Sequence, residues 1–117
     1  MDDNNPLKIV FQLSAQLDYE VDDRRIVTIL RKQDHWIQRL ARKLTFKIPA
    51  FRRIELDDYG SFVLLSIDGK RTVEEIGAAM SAQFGERANP LFERLLMFLN
   101  HIEKQERFIV KMPALQS

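Results

Sequence analysis

The sequence has no cysteine among its 117 residues. This absence excludes disulfides, thiolate metal ligands and cysteine nucleophiles, and it suits a reducing compartment, so a cytoplasmic location is expected. The longest stretch without a charged residue, 76–85, has ten residues, whereas a membrane-spanning helix needs about 20 apolar residues. The opening MDDNNPLK also lacks the basic and apolar regions of a secretory signal. We therefore predict neither a transmembrane segment nor a signal.

Residues that commonly carry catalysis or bind metals are also scarce. The two histidines, His35 and His101, are 66 residues apart, and no histidine pair has the spacing of a metal site. No serine lies in a G-x-S-x-G context, and the four glycines form no phosphate-binding loop. We predict that the protein is not an enzyme, holds no metal and uses no cofactor.

The net charge of +1 conceals a strong asymmetry along the chain. Residues 1–23 carry a net charge of −5, residues 24–53 carry +9 and residues 54–117 carry −3. The central basic block could attract an anionic partner, or it could be a solvated face balanced by its acidic flanks. Charge alone does not separate these two interpretations.

The first third of the chain has the period-two pattern of β-strands. Eight apolar residues there have odd numbers and are mostly separated by polar residues: Leu7, Ile9, Phe11, Leu13, Ala15, Leu17, Tyr19 and Val21. Strands are therefore predicted over about 7–31, with a break near Ser14 and a hairpin turn at VDDRR. A further short strand is predicted at 51–56 and a last one at 107–112.

Four helices are predicted from apolar spacing and capping residues. They cover about 34–44, 58–67, 72–84 and 90–105. The stretch SIDGKRTVEEI joins two of them, because Asp68-Gly69 is a turn signal and Thr72 with Glu75 forms a capping box. Gly85 ends the following helix, Asn89 is predicted to cap the last one with Pro90 as its first residue, and Gly77 is predicted to allow close helix packing.

This order of elements resembles the PqqD-like family. The resemblance is carried by IELDDYGSFVLLSIDGKRTVEEI, followed by FGE and a long helix that ends in RFIV, and it extends from Leu17 to about Met112. The matching motif positions are Leu56-Asp57, Asp68-Gly69, Arg71-Thr72 and Val73–Ile76. Two features depart from the family pattern: the longer segment 33–50 between the second and third strands, and the terminal strand 107–112.

The resemblance implies an α+β, winged helix-turn-helix domain over residues 1–117, with N-terminal antiparallel strands, three helices and a short C-terminal strand. Such domains are non-catalytic peptide chaperones, or recognition elements, of peptide-modification pathways. They bind the leader of a ribosomally made precursor peptide and present it to a modifying enzyme, often a radical SAM enzyme. The expected partners are thus a leader peptide and that enzyme, and the chain is expected to be a monomer or a homodimer.

The resemblance also places the peptide on an edge strand and beside the third helix, since an edge strand offers unpaired N–H and C=O groups. The strand residues predicted to bind it are Phe51, Arg52, Arg53, Ile54, Glu55 and Leu56. The helix residues are Arg94, Leu95, Phe98 and Ile102. Arg52 and Arg53 are expected to attract an acidic leader, whereas at least one of the three apolar helix residues is expected to serve only the core.

Two other functions remain open from the sequence. A winged helix could bind DNA, although Glu93, Arg94, Glu103 and Lys104 give the third helix no net charge. A peripheral scaffold could instead use the basic amphipathic helix 34–44, whose Trp36 is a membrane or partner anchor in that interpretation.

Overall fold

The computed structural model describes residues 5–32, Arg39, Lys43 and residues 51–113. They form an α+β fold, as predicted, with five strands and three α-helices that follow the fourth strand. The strands are β1 Phe11–Leu13, β2 Asp18–Val21, β3 Val27–Lys32, β4 Phe51–Glu55 and β5 Ile109–Lys111. The helices are α1 Asp58–Ser66, α2 Val73–Phe84 and α3 Leu91–Asn100. This order is compatible with a winged helix-turn-helix.

The three central strands form an antiparallel sheet in the order β2–β3–β4. The predicted hairpin of β2 and β3 is confirmed, with Asp18 opposite Leu30 and Val21 opposite Val27. Its turn is held by the carboxylate of Asp22, which accepts hydrogen bonds from the N–H groups of Arg24 and Ile26, each at 2.9 Å. Short polar side chains stabilise turns in this way.

The break predicted near Ser14 is also confirmed, because β1 ends at Leu13 and β2 begins at Asp18. The extension of strand structure to Leu7 is wrong. Residues Pro6–Lys8 form a 3₁₀ turn, since the Asn5 side chain accepts from the N–H of Leu7 at 2.9 Å and proline fixes its own φ in the helical range.

A second, two-stranded sheet joins the two ends of the described chain. β1 pairs antiparallel with β5, with Phe11 opposite Lys111 and Leu13 opposite Ile109. The last strand is shorter than the predicted 107–112, because Arg107 has a φ of 60° and the backbone is still turning there.

The SIDGKRT joint between α1 and α2 has the structural role predicted for it. The carboxylate of Asp68 accepts from the N–H groups of Lys70 and Arg71 at 2.9 Å, and Gly69 has a φ of 78°. The capping box is confirmed: Thr72 Oγ1 accepts from the Glu75 N–H at 3.2 Å, and the Glu75 carboxylate accepts from the Thr72 N–H at 2.8 Å.

The joint is also tied to the start of the chain, which sequence patterns do not indicate. The N–H of Gly69 donates to the carbonyl of Phe11 at 3.0 Å, and that of Val73 donates to the carbonyl of Ile9 at 2.9 Å. The turn is therefore fixed from both sides, by its own side chains and by the first strand.

The predicted cap of α3 is wrong, although Gly85 does end α2, with a φ of 58°. Pro90 has an extended backbone, so the helix begins at Leu91. Asn89 instead closes the 3₁₀ turn Gly85–Ala88, donating its N–H to the carbonyl of Glu86 at 3.0 Å. At its other end α3 continues as a π-helical turn over His101–Gln105, which accounts for the predicted extent of the helix to 105.

The core lies between the helices and one face of the strands. Its largest fully buried apolar members come from β3, the three helices, the π-helical turn and the last strand: Val27, Ile29, Val63, Leu64, Val73, Ile76, Met80, Leu95, Leu99, Ile102 and Ile109. No helix in the described residues is both long and apolar enough to cross a membrane.

Of the predicted helix 34–44, the structure describes Arg39 and Lys43, which are helical and exposed. The rest of that helix, including Trp36, and the scaffold function assigned to it lie outside the described residues.

Gly77 permits close contact between α2 and α3, as predicted from its place inside a helix. A β-carbon at this position would meet the Phe92 ring, at 2.7 Å from Cζ and closer still to Cε1. We expect Gly77→Ala to lower the free energy of unfolding by about 1–2 kcal/mol, because overpacking costs about 1–3 kcal/mol and exceeds the gain of about 1 kcal/mol in helix propensity. Urea denaturation measures this change.

The control for Gly77→Ala is the same substitution in a Phe92→Leu background. Leucine removes the ring atoms that the new methyl group meets, so alanine should then be neutral or stabilising. A stabilising effect of Gly77→Ala in the otherwise native chain would contradict the packing argument.

Candidate functional site

β4 is an edge strand of the central sheet. Its residues point their backbone N–H and C=O groups alternately toward β3 and away from it. The N–H of Leu56 donates to the carbonyl of Val27 at 2.9 Å, in register with the pairs Ile54–Ile29 and Arg52–Arg31. In an antiparallel ladder the residues between such hydrogen-bonded pairs turn their N–H and C=O groups away from the neighbouring strand. Arg53 and Glu55 therefore present these groups at the open edge, where none of the described strands pairs with them.

The side chains of β4 alternate between the two faces of the sheet. Ile54 lies opposite Ile29, which is 1% exposed, so Arg52, Ile54 and Leu56 are on the face that covers the core. Ile54 and Leu56 are half-buried against that core, and Arg52 is exposed. This gives the edge an apolar strip with a cation near its start.

Arg53 lies on the opposite face, so the two arginines predicted to act together are separated by the sheet. Its guanidinium is 2.6 Å from Oε2 of Glu20 on β2, across the intervening strand. Because this carboxylate already neutralises Arg53, Arg52 is the stronger candidate of the two for attracting an anionic ligand.

The first half of α3 lies against the start of α1, just beyond the end of β4. The guanidinium of Arg94 is 4.6 Å from the centre of the Tyr59 ring, and Phe98 meets the same ring edge-on at 6.3 Å. Phe98 also packs over Gly60, where an added β-carbon would be 3.2 Å from its ring. Arg94 and Phe98 are therefore held against Tyr59 and Gly60, which follow Leu56 by three and four residues.

The segment after the π-helical turn meets β3 opposite the start of β4. Arg31, which pairs with Arg52, donates from Nη2 to the carbonyl of Glu106 at 2.7 Å and lies 3.4 Å from its carboxylate. Its guanidinium is also 5.4 Å from the centre of the Phe108 ring. α3 and its π-helical turn therefore run from the start of α1, just beyond the end of β4, back toward Arg31 on β3, opposite in direction to β4. We call Arg52, Ile54, Leu56, Arg94 and Phe98 the β4–α3 face.

Of the other residues predicted on the helix, Leu95 is 0% exposed and Ile102 is 2% exposed. Both belong to the core and support the surface from behind, whereas Arg94 is exposed and Phe98 is half-buried. This agrees with the expectation that at least one apolar residue of the helix serves only the core.

Two residues that shape this region were missed by sequence reasoning. Arg31 joins the sheet to the end of α3, and Ser61 joins the hairpin to α1: its Oγ accepts from the N–H of Val27 at 2.8 Å and lies 3.5 Å from the carbonyl of Leu56. A buried serine inside an apolar helix was the available signal, because a buried hydroxyl normally has a hydrogen-bond partner.

Tyr59 is the centre of the contact between α1 and α3. Burial raises the pKa of its hydroxyl, and the nearby guanidinium of Arg94 acts in the opposite direction. Within the described part of the chain this buried oxygen has no hydrogen-bond partner. The hydroxyl is therefore neutral at physiological pH, and its ring serves as a platform for Arg94 and Phe98.

The described residues contain no group of three or more acidic or histidine side chains that could hold a metal ion. His101 is exposed, with Nε2 at 4.0 Å from the carboxylate of Glu106. The candidate region consists of a strand edge, an apolar strip and two exposed arginines, Arg52 and Arg94.

The family model for PqqD, described as coenzyme PQQ synthesis protein D, matches residues 51–106. This segment contains β4, the three helices and the π-helical turn, and so all ten residues predicted for the site. It is shorter than the resemblance read from the sequence, which began at Leu17. No curated protein and no solved structure matches the chain significantly.

Proposed function

We propose, from the match of the PqqD family model to residues 51–106, that the protein is a non-catalytic adaptor for a peptide-modifying enzyme, with a radical SAM enzyme as the expected type. It binds the leader of a ribosomally made precursor peptide and presents the peptide to that enzyme. The leader adds as a strand to β4 and lies along α3. The family match supports the role in peptide modification, and the geometry of β4 supports the mode of binding.

The observation that carries the proposal is the open edge of β4 beside α3. Arg53 and Glu55 together offer two donors and two acceptors, which is what an extended peptide requires for strand addition. Peptide side chains on one face then meet the β4–α3 face, while those on the other face point away from it. This arrangement gives affinity through the backbone and selectivity through alternate side chains.

Backbone pairing alone is too weak for a useful complex. Four hydrogen bonds contribute about 2–6 kcal/mol at about 0.5–1.5 kcal/mol each, whereas a micromolar dissociation constant corresponds to about 8 kcal/mol. The remainder must come from apolar contact with Ile54, Leu56 and Phe98, at about 25 cal/mol per Å² buried. The leader is therefore expected to carry large apolar residues at alternate positions.

The proposal is tested with synthetic leaders. The N-terminal segments encoded by short open reading frames next to the gene would be titrated into the isotope-labelled protein and followed by two-dimensional NMR. Saturable shifts at β4 and at residues 91–102 support the proposal. Saturable shifts confined to other surfaces, or no shift with any neighbouring peptide, count against it.

Charge reversal separates the two arginines of β4. We expect Arg52→Glu to weaken binding of an acidic leader about threefold to tenfold, because Arg52 lies on the face that meets the peptide. Arg53→Glu should change affinity less than twofold, although it places a like charge beside Glu20. Fluorescence anisotropy at low and physiological salt measures the dissociation constant of the leader for each variant. Equal losses of affinity for the two variants would contradict the assignment of Arg52, but not Arg53, to the face that meets the peptide.

A further inference from the structure

Tyr59 carries a buried hydroxyl group that the packing of the helices does not use. The residue is 9% exposed, and among the residues that the structure describes its oxygen has no hydrogen-bond partner. Burial raises the pKa of this hydroxyl, so at physiological pH it keeps a proton to donate. Buried polar groups are normally hydrogen-bonded, because an unpaired one destabilises the fold. The free protein therefore holds an unsatisfied donor at this point.

The surroundings of Tyr59 belong in part to the β4–α3 face. Its ring is contacted by the guanidinium of Arg94 and by the edge of Phe98, both on that face, and by Phe84 at the end of α2, at 5.9 Å between ring centres. Arg94 is exposed and Phe98 is half-buried. The tyrosine therefore lies directly beneath the surface along which the leader is proposed to bind.

Arg94 is the second group here with unused donors. One of its N–H groups donates to the carbonyl of Arg87, and no carboxylate of the described residues forms an ion pair with it. The nearby acids are engaged elsewhere: Asp58 binds Arg87 at 3.0 Å, and Asp57 accepts from the N–H of Gly60 at 2.7 Å. Acids and bases are thus balanced in number around the start of α1. What is missing is an acceptor for the unused donors.

We propose that Tyr59 and Arg94 form a two-donor site for one carboxylate of the leader, the side chain of an aspartate or glutamate. This inference rests on the proposed adaptor function and names a residue that the leader must carry. The hydroxyl donates one hydrogen bond and the guanidinium donates another, and the positive charge favours a carboxylate over a neutral carbonyl. Because the hydroxyl oxygen is enclosed in the free protein, the exposed side chain of Arg94 shifts to admit the acid.

The position of this acid in the leader follows from the strand geometry. In a strand added antiparallel to β4, the residues opposite Leu56 and Ile54 are two apart and share one face. The next residue on that face lies beyond the end of β4, toward Tyr59 and Arg94, and precedes the residue opposite Leu56 by two. The leader is thus expected to carry an acid two residues before the first of its alternating apolar residues.

The probe for this site is a pool of capped pentapeptides. Aspartate or glutamate occupies the first position, leucine or phenylalanine the third and fifth, and serine or threonine the second and fourth. The matched control pool has asparagine or glutamine at the first position. Each pool is titrated into the labelled full-length protein, and NMR follows the side-chain signals of Arg94 and Tyr59 and the backbone signals of β4.

Tyr59→Phe removes only the hydroxyl oxygen and so separates binding from folding. Because this oxygen is unpaired in the free protein, its removal should raise the melting temperature by about 2–5 °C, while affinity for the acidic pool falls about fivefold or more. Affinity for the neutral pool should change less than twofold. The matched control is Tyr19→Phe, because Tyr19 is the other tyrosine and is 38% exposed on β2. It should leave the melting temperature and both affinities as they are.

Substitutions of Arg94 test whether the two donors share one ligand group. Arg94→Gln should weaken binding of the acidic pool about tenfold, and Arg94→Lys, which keeps the charge, should lose less. If both donors bind the same carboxylate, the variant that combines Arg94→Gln with Tyr59→Phe loses less affinity than the product of the two single losses. Independent losses would contradict a shared carboxylate.

Each outcome decides the proposal. Saturable shifts at Arg94 and Tyr59 with the acidic pool alone, weakened by a Tyr59→Phe protein of undiminished stability, support it. A lower melting temperature of Tyr59→Phe would show that the hydroxyl already has a partner, protein or water, and would overturn it. Equal binding of the two pools, or no saturable shift with the acidic pool, would overturn it too.

The adaptor function is judged by a different result. If leaders encoded next to the gene bind β4 of Tyr59→Phe with native affinity, the carboxylate site is wrong and the adaptor function stands. If no such leader binds the native protein, the adaptor function fails, whereas the two pools and the melting temperature still decide whether Tyr59 and Arg94 bind a carboxylate.

Discussion

Truncation of Leu95 to alanine is expected to lower the free energy of unfolding by about 2–5 kcal/mol. The side chain is 0% exposed in the centre of α3, and removing buried methyl groups costs both transfer energy and a residual cavity. The dissociation constant of the leader peptide, measured on the folded protein, should change less than twofold, because this side chain does not reach the surface. Urea denaturation and a peptide titration at low temperature measure the two quantities.

The matched control lies two residues further along the same helix. Met97 is 73% exposed, so Met97→Ala should change the free energy of unfolding by less than about 0.5 kcal/mol. A Leu95→Ala protein of normal stability with lost peptide binding would show that Leu95 contacts the peptide directly. The prediction thus tests the division of α3 into a core side and a binding side.

That division illustrates what a helical pattern can and cannot establish. The apolar spacing of the third helix identified the stripe that faces inward: Leu95, Leu99 and Ile102 are buried, and Phe98 at its edge is half-buried. It did not distinguish Leu95 at the centre of the stripe from Phe98 at its edge, because both fit the same period of 3.6 residues. Exposure at the edge is decided by the neighbouring element, here Tyr59 and Gly60 at the start of α1.

Short-range chemistry was read correctly from the sequence. The Thr72–Glu75 capping box, the turn at Asp68-Gly69 and the helix end at Gly85 each depend on atoms within a few residues. The cap of α3 failed for an equally local reason: Asn89 has two possible uses, and its backbone closes the preceding 3₁₀ turn instead of opening the helix. Sequence alone does not rank those two uses.

Contacts between distant segments could not be predicted by pattern. β1 pairs with β5 across nearly the whole chain, and Arg31 meets Glu106 at a separation of 75 residues. The period of a strand separates Arg52 and Arg53 onto two faces, a consequence overlooked when both were predicted to attract the leader, and their different electrostatic surroundings depend on Glu20 two strands away.

The strand-addition model makes its most specific prediction at Glu55, whose N–H points to the open edge of β4 and away from β3. We expect Glu55→Pro to weaken leader binding at least about tenfold, because proline removes this donor and its ring occupies the space of the added strand. A loss of tenfold corresponds to about 1.4 kcal/mol, near the upper value for one hydrogen bond, so the steric contribution makes up the rest. Isothermal titration calorimetry with the synthetic leader measures the change.

The same strand provides the controls, because its backbone alternates. Glu55→Ala keeps the N–H and should bind within twofold of the native protein, whereas Ile54→Pro removes a donor that pairs with Ile29 and should unfold the sheet edge itself. Glu55→Pro must therefore retain a native circular dichroism spectrum and a cooperative melt for its binding result to count. If that folded variant binds the leader with native affinity, the peptide does not pair with β4, and the charge effect at Arg52 would have to arise from side-chain contact alone.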